Sequence, residues 1–212
     1  MPYPVALITG AAHRLGAHTA ETLHARGWNV VIHYRGREQQ ARALADKLNQ
    51  QRPASAVCYH ADLADMNQLR QLAEQACAHW GQLDALVNNA SVFYPNPTED
   101  ASEQDWDTIL GANLKAPFFL LQQCLPALKA ASGSVINMID IYSEKPLKDH
   151  PLYCASKAGL AALTRSWARD LAPDVRVNGV SPGAILWPEG DSAVDAAHQQ
   201  AILDKTPLAR TG

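Results

Sequence analysis

Five times along this chain a short apolar run gives way to a longer segment with helical periodicity. The runs, at residues 5–9, 29–33, 56–60, 85–88, 134–138 and 175–180, are rich in Val, Ile and Leu. None alternates apolar with polar residues, so each reads as a strand covered on both faces. The segments between them, at about 15–26, 38–51, 66–80, 102–130 and 153–171, carry apolar residues at helical spacing. A parallel pair of strands needs a long crossover, and a helix supplies it. The expected fold is therefore α/β: a Rossmann-like, doubly wound parallel sheet with helices on both faces, in three layers. With no internal repeat or low-complexity linker, residues 1–212 read as one domain.

Local punctuation agrees with this division. Asp65 and Ser102 stand where helix N-caps are needed, Asp105 falls in the first turn after Ser102, and Gly27 follows the first helix. Pro117 lies inside the fourth helical segment and has no amide hydrogen to donate. That segment should kink near Asn113 or divide there into two shorter helices.

Bulk properties exclude several classes of function. The net charge of -3 gives no basic field to recruit nucleic acid. No apolar stretch approaches the roughly 20 residues of a membrane span, and the first residues lack a signal peptide's pattern. Cys58, Cys77, Cys124 and Cys154 are widely spaced and read as free thiols of a cytoplasmic enzyme. The histidines form no cluster at metal-ligand spacing, so no metal site is expected.

The first strand runs straight into Thr9-Gly10-Ala11-Ala12-His13-Arg14-Leu15-Gly16 and then a helix. Glycines in such a turn let the backbone bend sharply and approach a pyrophosphate, while the helix start offers amide donors. The second strand ends in His33-Tyr34-Arg35-Gly36-Arg37. A dinucleotide site selective for NAD places an acidic side chain at that strand end. Here Arg14, Arg35 and Arg37 can instead neutralise a 2′-phosphate, which favours NADPH/NADP+. The plainer alternative is that Arg35 and Arg37 are solvated loop charges.

Tyr153 and Lys157 are one helical turn apart, and Asp140 lies upstream of them. An ammonium on the same helix face favours phenolate over phenol and would pull the tyrosine toward working pH as a general acid or base.

Taken together, these residues resemble the short-chain dehydrogenase/reductase superfamily. The resemblance covers nearly the whole chain: TGAAHRLG, Asp62-Leu63, Asn88-Asn89-Ala90, Asn113, Tyr153-x-x-x-Lys157 and Ser181-Pro182-Gly183. It implies that Asp62 and Leu63 flank the adenine, that Asn89, Ala90 and Ser91 shape the cofactor pocket, and that Lys157 holds the nicotinamide ribose. Ser181 to Gly183 would border the nicotinamide, Met138 and Ile185 would also bind the cofactor, and Asn113 would position a water chain toward Lys157. Members of the superfamily commonly carry serine where this chain has Asp140, and many have glycine where it has Arg14. Asp140, Arg14 and the Asn-Asn-Ala-Ser-Val-Phe-Tyr-Pro segment are similar to the pteridine reductases, which act on pterins and folates with NADPH. The resemblance makes Asp140, Tyr153, Lys157 and Asn113 the catalytic set.

A pterin accepts hydride at carbon and a proton at nitrogen, and a carboxyl group beside the tyrosine can relay that proton. Phe93 could cover the flat ring opposite the nicotinamide, or be a core residue. Ser91 could bond substrate or cofactor, or form the turn; Trp187 could line the pocket or pack its loop down. Residues 184–197 read as a loop covering the substrate. A carbonyl reductase of the same fold, for example one acting on oxoacyl thioesters, remains open, as does a non-catalytic NADP-binding regulator. Family analogy further implies a homotetramer. Superfamily members usually continue with a helix and an edge strand beyond Lys205-Thr-Pro-Leu-Ala-Arg-Thr-Gly212, so the C-terminal end reads as cut short: either the molecule lacks these elements, which would leave an exposed sheet edge, or the chain continues past this sequence.

Overall fold

The structure is a computed structural model that describes residues 3–185, 187 and 195–211. Its strands are β1 (Val5–Ile8), β2 (Asn29–Tyr34), β3 (Ala56–His60), β4 (Ala85–Asn88), β5 (Ser134–Met138) and β6 (Arg176–Val180). They form one wholly parallel sheet in the order β3-β2-β1-β4-β5-β6. The helices are α1 (Arg14–Ala25), α2 (Glu38–Gln51), α3 (Met66–His79), α4 (Glu103–Leu110), α5 (Ala116–Ala130), α6 (Pro151–Asp170) and α7 (Ala196–Asp204). One apolar cluster packs α1 and α2 on one sheet face, and a second packs α3, α5 and α6 on the other. The Rossmann-like three-layer fold expected from the alternation is the fold observed.

Strands β1 and β2 are buried along their whole length, as double coverage requires. In β6, by contrast, only Val177 is buried. This strand ends the described sheet, and Val177 packs toward Leu160 and Trp167 of α6 on one face.

The expected caps are made. Asp65 accepts from the Asn67 and Gln68 amides, and Ser102 and Asp105 form a reciprocal capping box at α4. Gly27 takes a left-handed φ of +86° after α1. Pro117 resolves the open choice in the fourth segment: α4 and α5 are separated by one wide π-turn at Gly111–Lys115, where the Ala116 amide reaches back to the Gly111 carbonyl. Pro117 cannot donate to the Asn113 carbonyl, and widening the turn accommodates that missing bond without breaking the helix. Helix α6 starts two residues before the expected Tyr153, because Pro151 suits a first turn. Helix α7 was not foreseen, and residues 186 and 188–194 of the expected covering loop lie outside the described residues.

All four cysteines are free thiols. Among the described residues no helix is long and apolar enough to cross a membrane.

Register positions the site. Ile8 pairs with both Ile32 and Val87, so the turn after β1, the end of β2 and the Asn89-Ala90 turn after β4 emerge side by side. The sheet order reverses between β1 and β4, where ligands of such folds bind.

Candidate active site

The floor beneath the first turn is a set of backbone bonds made by polar side chains. The Asn89 and Ala90 amides each donate to Thr9 Oγ1 at 2.9 Å, and Asn89 Nδ2 donates to the Thr9 carbonyl at 2.8 Å. Gly10 has φ +63°, and a Cβ added to it would stand 3.0 Å from the Ala90 Cα. At Gly16 an added Cβ would strike the Gly10 carbonyl and lie 2.6 Å from Asn89 Nδ2. Both glycines are thus required by close backbone approach. Among the described residues no side chain caps the start of α1, whose first residues Arg14, Leu15 and Gly16 line the cleft where a dinucleotide pyrophosphate would lie.

Above this turn lies a cleft of about 1050 Å³, lined by Gly10, His13, Arg14, Leu15, Gly16, His33, Tyr34, Arg35, Arg37, Asp62, Leu63, Asn89, Ala90, Ser91, Phe93 and Tyr153. Every cofactor residue expected from the turn, the β2 end and the β3 end therefore shares one cavity. Arg14 separates from the other two arginines. Arg35 and Arg37 line only this larger cleft, whereas Arg14 opens α1 over the junction with a second cavity and lines both. Arg14 Nη2 donates to the Trp187 carbonyl at 3.0 Å, and Arg14 itself adopts a left-handed φ of +52°. All three arginines line the larger cleft, and Arg14 differs in also reaching the second cavity.

His33 lines the cleft, but both its ring nitrogens are bonded to protein. The Gly10 amide donates to Nδ1 at 3.0 Å, and Nε2 donates to the Ala61 carbonyl at 3.0 Å. Burial, partly offset by the Ala61 bond, pushes its imidazole down to about 4. As pH falls from 6.5 to about 4, the unfolded chain takes up a proton that native His33 refuses. Stability should fall through that window and level off below it, with a slope from this group approaching about 1.4 kcal/mol per pH unit. His33→Asn, which keeps an acceptor toward Gly10, should flatten that slope in urea unfolding curves. Equal slopes in the two proteins would place the acid sensitivity elsewhere.

The second cavity, about 190 Å³, holds the proposed chemistry. Met138, Asp140, Tyr153, Lys157, Pro182, Gly183 and Ile185 line it together with Arg14, Leu15, Asn89 and Ser91. The Tyr153 hydroxyl donates to Asp140 Oδ2 at 2.7 Å, while Asp140 Oδ1 accepts from the Tyr142 amide at 3.0 Å. Lys157 Nζ donates to the Met138 carbonyl at 2.9 Å and stands 5.6 Å from the Tyr153 ring centre. The expectation that the ammonium drives Tyr153 toward phenolate is reversed here. Burial first, then the hydrogen bond and charge of Asp140, raise the phenol well above its ordinary value. Burial also lowers Lys157 to about 8, against the opposing pull of Asp140. The tyrosine is held as a proton-bearing donor.

Asn113 lies beneath the site, 1 % exposed, in the π-turn. Its Oδ1 accepts from the Val92 amide at 2.8 Å and the Ser91 hydroxyl at 3.2 Å; its Nδ2 donates to the Val92 carbonyl at 2.9 Å and Ser156 Oγ at 3.1 Å. The side chain clamps the loop after β4 to α6. The same loop is tied down again by the Tyr94 hydroxyl donating to Asp105 at 2.8 Å. Phe93 on this loop is not core: it is 42 % exposed and meets Tyr153 edge-on, with ring centres 4.7 Å apart.

Sequence reasoning missed Gln104, Thr108 and Ala112, which line the larger cleft from α4 and the π-turn. Their spacing of four residues was the available signal. It also missed His150, whose ring stacks on Phe93.

The short chain dehydrogenase family profile matches residues 4–197. Pteridine reductase 1 of Leishmania tarentolae is 36% identical over 88% of this chain and 78% of its own length. A 3-oxoacyl-(acyl-carrier-protein) reductase of Staphylococcus aureus is 33% identical over 98% of this chain and 84% of its own. Trans-4-hydroxycyclohexanecarboxylate dehydrogenase of Sinomonas cyclohexanicum is 38% identical over 87% of this chain and 73% of its own. The chain belongs to the short-chain dehydrogenase/reductase family. It is an oxidoreductase of that family, whose members use NAD(P)(H).

Proposed function

We propose that this protein reduces pterins, of the dihydrobiopterin and dihydrofolate type, with NADPH. The observation that carries the reading is the 2.7 Å bond from the Tyr153 phenol to a carboxylate, Asp140, inside the cavity beside Lys157. When bound, the dinucleotide supplies the hydride. The glycine turn and the α1 amides would hold its pyrophosphate, and Arg35 and Arg37 its 2′-phosphate.

Tyr153 faces the nitrogen that must be protonated as the neighbouring ring carbon is reduced. Giving up its proton beside an ionised Asp140 would leave two anions in contact. The step is favourable when Asp140 carries a proton and passes it to the tyrosine oxygen, so the pair acts as one acid. Lys157 offsets the remaining negative charge. Phe93 supplies an aromatic surface for the flat ring, worth about 0.5–1.5 kcal/mol beyond simple burial. Pairing of copies through the outer faces of α5 and α6, where Phe118 is partly exposed, belongs to the same proposal and would build a homotetramer.

A second reading, reduction of a 3-oxoacyl thioester, is favoured by the match to the 3-oxoacyl reductases along 98% of this chain. An NADPH-oxidation assay with dihydrobiopterin, dihydrofolate and an acetoacetyl thioester separates the two. The proposal expects a pterin to have the highest kcat/KM; a thioester preferred by about tenfold or more would overturn it.

The cofactor choice has its own test. Replacing Arg35 and Arg37 together by alanine should weaken NADPH binding by about 10- to 100-fold, the worth of one or two charge-assisted bonds, and leave NADH nearly unchanged. Unchanged affinity for both dinucleotides would return the two arginines to the solvated surface, and equal losses for both would remove them from the 2′-phosphate.

A further inference from the structure

Phe93 lies on a loop and is partly solvent-exposed, yet its ring is held on two sides. His150 stacks nearly parallel to it, with ring centres 4.6 Å apart and planes 15° from coplanar. Tyr153 meets it at 81°. His150 is itself fixed: its Nδ1 donates to the Lys148 carbonyl at 2.7 Å, and the preceding Asp149 turns through a left-handed φ of +60°. Asn96, on the Phe93 loop, joins the two segments. Its amide donates to the Asp149 carbonyl at 2.7 Å, and its Oδ1 accepts from the Leu152 amide at 3.4 Å. His150 lines neither cavity. It stands behind Phe93.

We propose that His150 is a positioning residue for the substrate platform. By occupying one face of Phe93 it stops the ring from rotating toward solvent. The flat heterocycle would then lie against the part of the ring that lines the larger cleft, next to Tyr153. A platform already fixed before binding spends less of the stacking energy on ordering itself. On the reading of Phe93 as the pterin's surface, on which this proposal rests, His150 sets substrate affinity without touching substrate.

The test is steady-state reduction of dihydrobiopterin by NADPH in the wild type, His150→Ala, His150→Phe, Phe93→Ala and the double alanine variant. His150→Ala should raise KM by about 3- to 10-fold with kcat within about twofold. His150→Phe, which keeps an aromatic stack, should restore KM. The double variant should be no worse than Phe93→Ala alone, since His150 acts only through that ring. A merely structural role would lower kcat and NADPH affinity as well, and phenylalanine would not rescue it. Absence of dihydrobiopterin reduction by the wild type, or a Phe93→Ala variant with unchanged KM, would sink the pterin platform and this proposal with it. If Phe93→Ala raises KM but His150→Ala does not, the platform stands and the clamp is overturned. Additive losses in the double variant would overturn it equally.

Discussion

Replacing Tyr153 with phenylalanine should lower kcat by about 10²–10⁴-fold, the usual worth of a positioned general acid, and leave the Kd for NADPH within about twofold. The ring would remain: it packs in a small buried cluster with Ile109 and Cys154 and meets Phe93 edge-on, and neither contact needs the hydroxyl. What disappears is one proton donor and one 2.7 Å bond to Asp140. Single-turnover kinetics under saturating NADPH, with cofactor binding measured separately by fluorescence, isolate the chemical step. Residual turnover within about fivefold of the wild type would remove Tyr153 from proton transfer.

Asp140→Ser is the second large effect. Serine retains a side-chain acceptor for the Tyr142 amide, so the short turn after β5 should keep its cap. It cannot carry the proton that a carboxyl group passes to the tyrosine oxygen. Dihydrobiopterin turnover should fall by about 10²-fold or more. The same change removes the hydrogen bond and charge that help hold the Tyr153 phenol above its ordinary value, so the phenol should shift back downward. Reduction of an acetoacetyl thioester, where a carboxylate would repel the carbonyl oxygen, should be maintained or increased. A parallel loss of both activities would mean that Asp140 serves the fold and not the substrate choice.

The layered fold was legible because its cause is local to the chain. Strands covered on both faces must be largely apolar, as β1 and residues 30–32 of β2 are, and helices between them must show a stripe. The cofactor side was legible for a similar reason: Gly10 and Gly16 mark backbone approaches that no other residue tolerates. What stayed hidden depends on contacts between distant segments. His33 reads as a strand-end residue facing ligand, and only the registers of β2 with β1 and with β3 bring its nitrogens to Gly10 and Ala61. His150 and Phe93 lie on loops without periodicity, so nothing in their spacing announces a stack. The direction in which Tyr153 is shifted was misjudged because the sequence names a lysine and an aspartate but gives neither distance nor burial. In the folded chain, burial and the Asp140 carboxylate raise the phenol.

The central claim is that Asp140 and Tyr153 share a proton destined for a ring nitrogen. It is tested most directly by the pH dependence of kcat for dihydrobiopterin reduction in the wild type and in Asp140→Ser. The serine variant should be slow, and its pH profile should differ from that of the wild type. Superimposable profiles, with the variant's rate retained, would contradict the claim.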